Sequence, residues 1–173
     1  FCRPFMETLT LYFSNAHSIG TGLNYNSPSI FSMISGKVNT PALSSIGVAA
    51  AFLYIIVIFF WAWHKRKNLS NEALLGIAIL FVVGIPLLLP HMHDRYFFMA
   101  DVLTLMPAIL YAAYAPAAIF TSFASLLCYY FYLTREYLLP IRYGSFALIA
   151  VLLIFFTFTA ERINSRRNKI YKI

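Results

Sequence analysis

The feature that most constrains this chain is a set of long apolar runs that contain almost no charge. Residues 46–63 carry no charged side chain, and residues 97–133 carry one, Asp101. Charged residues make up 11% of the chain and hydrophobic ones 61%, whereas a soluble domain has roughly 25% charged residues. A soluble fold of 173 residues could not hide so much apolar surface from water. The sequence therefore predicts an all-α, polytopic transmembrane helix bundle whose solvent is the lipid bilayer.

The number of membrane spans follows from the length of the apolar runs. A helix rises 1.5 Å per residue and the hydrocarbon core is about 30 Å thick, so residues 97–133 are too long for one span. We divide this run at Ala115–Pro116. The prediction is about five spans, at residues 46–63, 73–89, 97–114, 117–133 and 143–160.

The segments outside the spans differ in composition. Residues 1–45 hold eight of the 13 Ser, four of the eight Asn and three of the seven Gly residues, and no apolar piece in them is long enough to span. The apolar pieces there, such as 9–13 and 30–34, are short, and we predict an extracytoplasmic or interfacial loop with one short helix lying on the membrane. Residues 46–160 form the predicted five-helix transmembrane module, and residues 161–173 a basic cytoplasmic tail.

The distribution of basic residues predicts the orientation. The first span ends in Trp61 and Trp63, followed by Lys65, Arg66 and Lys67, which is typical of a cytoplasmic exit. Five spans put this loop and the C-terminal tail on the same side, and together they hold eight of the 13 Lys and Arg residues. We therefore predict a multi-pass protein of the cytoplasmic membrane with a cytoplasmic C-terminus.

The net charge of +7 has the same explanation. Basic residues collect beside membrane spans, and no basic stripe lies along a water-facing helix. No nucleic-acid partner is therefore predicted.

The densest group of functional side chains lies between the second and third spans, in residues 90–96. Pro90 is favourable in a first helical turn, so we expect a helix to begin there, with His91, Asp94 and Arg95 on one face. Free N–H groups of that turn, together with Arg95, would bind a phosphate or another anion. His91 or His93 could add a hydrogen bond or a proton. The alternative is a polar cap at the membrane boundary without a function.

The same group does not predict a metal site by itself. His91 and His93 are two residues apart and do not share a helix face, and the spacing HExxH is absent. No metal-binding residue is assigned. A divalent cation could still bind as a cofactor with help from a carboxylate elsewhere.

Asp101 is a second candidate. It follows Asp94 by seven residues, about two helical turns, and should lie inside the apolar zone. An ionisable residue at that depth is costly and is a functional candidate by default. The alternatives are a structural hydrogen bond to another helix and an ion pair with Arg95.

Polar residues elsewhere on the same side could also contact a ligand. Asn24, Tyr25 and Asn26 could bind sugar hydroxyls, although asparagine-rich segments are usually only turns. Arg135 and Arg142 are expected in a solvated loop, where contact with an anionic substrate is a less favoured alternative.

One family resemblance connects these residues. Residues 87–103, LLLPHMHDRYFFMADVL, resemble a signature of bacterial polytopic membrane mannosyltransferase-like proteins, which are related to the GPI-anchor mannosyltransferases of the GT-C glycosyltransferase superfamily. The family pattern reads like PHMHERYFFxADVL, and Asp94 stands where the family usually has Glu. Residues 23–30, LNYNSPSI, are similar to the family's LNxPNxY-type segment, with Ser29 in place of its second Asn. The resemblance covers most of this chain but only the C-terminal part of a full-length member.

The resemblance implies an enzyme that transfers a hexose from a polyprenyl-phosphate sugar to an acceptor on the outer face. Such enzymes are inverting and take a catalytic carboxylate from an early outer loop, which is not in this sequence, so no catalytic residue is assigned. The resemblance implies that His91, His93, Asp94 and Arg95 bind the donor phosphate or shape its pocket. The shorter side chain of Asp94 retracts the carboxylate by one methylene.

The implied partners are the bilayer, the polyprenyl-linked sugar and an unspecified acceptor. The rest of a parent polypeptide is a further expected partner, because a chain that begins with Phe1 is expected to be a C-terminal fragment. The alternative from another class is a non-enzymatic membrane transport or assembly subunit with an outer anion-binding cluster.

Overall fold

The computed structural model describes Met6, residues 22–34 and residues 40–170, the last five as backbone only. Five α-helices and one pair of two-residue strands make up its main elements, joined by short 3-10 turns. This confirms the predicted all-α polytopic bundle. The helices are α1 Thr40–His64, α2 Asn71–Leu88, α3 Phe98–Leu110, α4 Ala115–Thr134 and α5 Arg142–Ile170, and the strands are β1 Asn24–Tyr25 and β2 Met92–His93.

Within the described residues, four helical stretches are long and apolar enough to cross a membrane: Thr40–His64, Asn71–Leu88, Ala112–Thr134 and Arg142–Ser165. In the most apolar 18-residue stretch of α1 only 17% of the residues are buried, against 44% in the corresponding stretch of α2. Most of the α1 surface therefore faces outwards, where lipid is the solvent that suits its side chains.

The predicted span at 97–114 is not one continuous helix. The helix α3 has 13 residues, or about 20 Å at 1.5 Å per residue, short of the roughly 30 Å of a hydrocarbon core. A 3-10 turn at Asp94–Phe97 precedes α3. At its other end Tyr111 adopts an extended conformation, with φ −142°, which interrupts the helix before the 3-10 turn Ala112–Tyr114.

The segment that contains α3 nevertheless runs from one end of the bundle to the other. It starts beside the end of α2, and its Tyr111 hydroxyl donates a 2.6 Å hydrogen bond to Glu72 at the beginning of α2. Arg162 of α5 forms an ion pair with the same carboxylate, at 3.2 Å. We call this the Glu72 end of the bundle, and the opposite end the His91 end. The loop after α1 and the C-terminal part of α5 therefore share one end, as the charge distribution predicts.

The core lies where α2, α4 and α5 pack together. Its fully buried side chains include Ile79 and Val83 of α2 and Val151 and Phe155 of α5. The small residue Gly84 lets α1 approach α2, because a Cβ there would collide with the ring of Tyr54.

Part of the predicted N-terminal loop enters this bundle. Ser27 and Ser29 are fully buried, and a Cβ added to Gly144 of α5 would lie 3.1 Å from Pro28 Cβ. The Ser145 hydroxyl donates to the Ser29 carbonyl, at 2.8 Å. Residues 27–29 therefore pack between α4 and α5 and do not lie on the surface.

The limits of the N-terminal segment also differ from the prediction. Helix α1 begins at Thr40, six residues before the predicted span, because Pro41 suits a first helical turn. At 30–34 there is only a 3-10 turn, Ile30–Met33, with Phe31 buried. The apolar piece at 9–13 lies outside the described residues.

Candidate functional site

The two short strands bring distant polar residues together at the His91 end. Strands β1 and β2 pair in parallel, with Asn24 opposite Met92 and Tyr25 opposite His93. The His93 ring stacks on Tyr25, with centroids 5.0 Å apart and 18° between the planes. The signature-like segment around His93 and the polar residues around Asn24 therefore meet in space, although nearly 70 residues separate them in the sequence.

His91 acts as a bracket within this arrangement. Its backbone N–H donates to the Leu23 carbonyl at 2.8 Å. Its Nδ1 lies 2.7 Å from the Gly22 carbonyl oxygen, which can only accept, so Nδ1 carries the proton. Its Nε2 lies 3.0 Å from the Ser44 hydroxyl of α1. Both ring nitrogens are occupied, so His91 holds the segment in place and does not point into a ligand site.

The predicted helical face of His91, Asp94 and Arg95 is wrong. His91 has a left-handed backbone, with φ 58°, and β2 follows it, so no helix begins at Pro90. The His91 N–H, one of those on which the predicted anion site depended, donates to the Leu23 carbonyl, and the Arg95 N–H donates to Asp94 Oδ1 at 2.8 Å.

A cavity of about 400 Å³ nevertheless collects four of the seven predicted site residues. They are Asn26, His93, Asp94 and Arg95, and they are joined by Arg135 from the end of α4. We call this cavity the arginine pocket. Its complete lining is Tyr25, Asn26, His93, Asp94, Arg95, Phe131, Tyr132, Arg135 and Tyr137.

Aromatic rings lie beside both guanidinium groups of the arginine pocket and form part of its walls. The Arg95 guanidinium lies 5.6 Å from the Tyr96 ring centroid and the Arg135 guanidinium 5.8 Å from that of Tyr132. Phe131 and Tyr137 stack with centroids 4.1 Å apart. Two guanidinium groups beside aromatic rings and an amide can bind a phosphate together with a neutral polar group.

The two asparagines differ in what their side chains do. Asn24 closes its own turn: its Oδ1 accepts from the Ser27 N–H at 3.0 Å and its Nδ2 donates to the Ser27 carbonyl at 2.8 Å. The amide of Asn26 donates to the Cys128 carbonyl of α4 at 3.0 Å. Its Oδ1 is buried and has no hydrogen-bond partner among the described residues. The turn interpretation therefore fits Asn24, and Asn26 is the asparagine that faces the pocket.

Asp101 does not line the arginine pocket. Its Oδ2 accepts a 2.6 Å hydrogen bond from the Ser125 hydroxyl of α4, and its Oδ1 is buried without a partner in the described part of the chain. Of the alternatives for Asp101, the structure contains the hydrogen bond to another helix. The ion pair with Arg95 is absent from the described residues, whose one ion pair joins Arg162 and Glu72.

Two further depressions continue from the arginine pocket. A cavity of about 520 Å³ shares Asn26 and Tyr137 with it and extends to Leu139. Leu139 also lines a cleft of about 760 Å³ between α4 and α5, whose other walls are apolar. We call it the α4–α5 cleft; it is lined by Ile119, Phe120, Phe123, Leu139, Tyr143, Phe146, Ala147 and Ala150. The three depressions thus adjoin one another through shared lining residues, with the two arginines in the first and the apolar walls in the third.

Arg135 was expected in a solvated loop, with contact to an anionic substrate only as the less favoured alternative, and it follows Arg95 by 40 positions. Its position depends on the left-handed backbone at the end of α4, with φ 63°, which hydrophobic patterning does not reveal.

Among the described residues, no group of three or more His, Cys, Asp or Glu side chains is arranged to hold a metal ion.

Neither a protein-family model, nor a curated protein, nor a solved structure matches this chain.

Proposed function

We propose that this chain is a membrane module of a mannosyltransferase-like glycosyltransferase, which transfers a hexose from a polyprenyl-phosphate sugar to an acceptor on the outer face of the cytoplasmic membrane. The observation that carries the proposal is the arginine pocket, in which the residues of the family-like signature meet a second arginine from α4. In this proposal the His91 end is the outer end.

The two arginines suit the phosphate of the donor. Both side chains are exposed, and neither has a carboxylate partner among the described residues. A guanidinium binds phosphate oxygens through two parallel hydrogen bonds. Arg95 and Arg135 would therefore hold the phosphate between the segment after α2 and the end of α4.

The surroundings suit the other two parts of such a donor. His93 and Tyr137, which line the pocket beside Asn26, offer imidazole and hydroxyl groups that can form hydrogen bonds with sugar hydroxyls. The α4–α5 cleft is apolar and opens towards the lipid, so it suits the polyprenyl chain. The order of the depressions, polar and then apolar, matches the order of headgroup and chain in the donor.

The chemical step is not assigned to a residue of this chain. Asp94 lines the pocket together with both arginines, and its carboxylate accepts the backbone N–H of Arg95, which holds the turn at the start of the Asp94–Phe97 segment. The resemblance implies that the catalytic carboxylate comes from an early outer loop of the family. This module then supplies the donor-binding part of the enzyme.

Donor binding tests the pocket directly. The purified chain in detergent is titrated with a short-chain polyprenyl-phosphate mannose, and Arg95→Ala and Arg135→Ala are compared with Arg142→Ala. Arg142 is a matched control, because it is also exposed and lies 5.6 Å from a tyrosine ring but does not line the pocket. Loss of a hydrogen bond to a charged group costs about 1.5–3 kcal/mol, so each pocket variant should bind roughly 10- to 100-fold more weakly. Equal affinity in all four proteins would refute the assignment of the pocket.

Sugar transfer separates the enzyme from the alternative. Cells express the protein from its complete coding sequence. Membranes from these cells are supplied with the radiolabelled donor, and the labelled acceptor is measured. Transfer that falls in Arg95→Ala supports the glycosyltransferase. Donor binding without transfer would instead support a non-enzymatic transport or assembly subunit.

A further inference from the structure

A second charged cleft lies at the opposite, Glu72 end of the bundle, in the connection between α1 and α2. It has a volume of about 450 Å³ and is lined by Trp63, His64, Arg66, Lys67 and Asn68. We propose that this cleft is a binding site for the phosphate headgroup of an anionic phospholipid. The site is independent of the proposed donor pocket, which lies at the other end of α2.

Among the residues that the structure describes, no carboxylate forms an ion pair with the cations of this cleft. Arg66 and Lys67 are exposed and form no ion pair in the described part of the chain. Glu72, the nearest acidic residue in sequence, is already bound by Arg162 and by the Tyr111 hydroxyl. The positive charge of the cleft is therefore available to an external anion.

The cleft is also built on an ordered backbone. Arg66–Asn68 form a 3-10 turn, in which the Asn68 N–H donates to the Lys65 carbonyl at 2.8 Å. The Arg66 guanidinium lies over the Trp63 ring, 4.6 Å from its centroid. Stacking on an indole limits the motion of a guanidinium, so less freedom is lost when a phosphate binds.

The position of the cleft favours a lipid over a soluble anion. It lies at the end of α1, the helix with the most exposed apolar surface, and Phe59, Phe60 and Trp63 are all more than half exposed on the last turns. Indole and basic side chains at the end of a span mark the depth of the lipid headgroups. A phospholipid bound there could place its phosphate in the cleft and its acyl chains along these aromatic side chains.

Lipid titration of the purified full chain tests this site. The protein in a neutral detergent is titrated with phosphatidylglycerol, with phosphatidylcholine and with inorganic phosphate, and bound lipid is counted by native mass spectrometry. Arg66→Gln and the double variant Arg66→Gln/Lys67→Gln are compared with Arg142→Gln, an exposed arginine beside an aromatic ring at the other end. Since each basic residue contributes about 1 kcal/mol to the binding of anionic lipid, affinity should fall about fivefold per charge removed.

The expected result is one tightly bound phosphatidylglycerol in the wild-type protein and in Arg142→Gln, weakened by about fivefold in the single variant and further in the double variant. Equal weakening in Arg142→Gln would overturn the proposal, because it would indicate diffuse attraction to the whole basic protein. Inorganic phosphate that binds as tightly as the lipid would also overturn it, since the acyl chains would then contribute nothing. Unchanged circular dichroism of the variants verifies that loss of binding is not loss of fold.

Discussion

Replacement of Gly84 by alanine should destabilise the bundle, although alanine favours helices. Gly84 is buried in α2, and a methyl group there would overlap the ring of Tyr54 on α1. The hydroxyl of Tyr54 donates a 2.8 Å hydrogen bond to the Leu80 carbonyl of the same helix α2. The ring cannot move away from a new methyl group without straining or losing this bond.

The size of the effect follows from three contributions. Gly to Ala in a helix interior stabilises by about 1 kcal/mol. Overpacking costs about 1–3 kcal/mol, and loss of the hydrogen bond costs about 0.5–1.5 kcal/mol. We therefore expect the Gly84→Ala variant to lose about 0.5–3.5 kcal/mol of unfolding free energy.

The assay is reversible unfolding in mixed micelles with increasing dodecyl sulfate, followed by circular dichroism. The matched control is the same Gly84→Ala change in a Tyr54→Ala background, where the ring that causes the clash is absent. In that background the helix preference remains, and the substitution should be neutral or stabilising. If Gly84→Ala stabilised the protein equally in both backgrounds, the close approach of α1 and α2 at this position would be wrong.

Three further predictions concern the ends and the interior of the bundle. Ser125→Ala removes the hydroxyl that donates to the buried Asp101 carboxylate and should lower the unfolding free energy by about 1–3 kcal/mol, measured in the same assay; an unchanged value would count against that hydrogen bond. Arg162→Gln breaks the ion pair at the Glu72 end, but the Arg162 side chain is 27% exposed and its partner 40%, so the loss should be only about 0.5–1 kcal/mol and smaller at high salt. A larger loss that salt does not reduce would contradict this. Cysteines placed at Lys67 and Thr134 should lie on opposite sides of the membrane, so an impermeant maleimide should modify one of them in intact cells and the other only after permeabilisation. Modification of both in intact cells would refute an odd number of crossings between the two positions.

Hydrophobic length and proline positions were enough to predict much of the helical framework. The division at Ala115–Pro116 is confirmed, since α4 begins at Ala115. The interruption at Tyr111 could not be predicted in this way, because Tyr111 is as compatible with a span as its neighbours. The Tyr111 hydroxyl donates a hydrogen bond to Glu72, which lies 39 residues away in the sequence, and this bond helps to fix the end of the crossing.

The candidate site was predictable in its residues but not in its geometry. The cluster around Asp94 and Arg95 was identified from its density of polar groups, and both line the arginine pocket. The assumption of a helix from Pro90 failed because His91 takes a left-handed conformation that its contacts with residues 22–23 hold in place. Such a contact between distant parts of the chain leaves no periodic signal in the sequence.

The placement of residues 27–29 between α4 and α5 has a consequence for the order of assembly. The hydrogen bond from Ser145 to Ser29 joins positions 116 residues apart, so residues 27–29 cannot be enclosed until the beginning of α5 has also left the ribosome. Closing so large a loop is slow relative to the formation of a single helix. During biogenesis, the helices should therefore be inserted first, and the arginine pocket, which takes Tyr25 and Asn26 from the adjoining residues, should be among the last parts of the protein to mature.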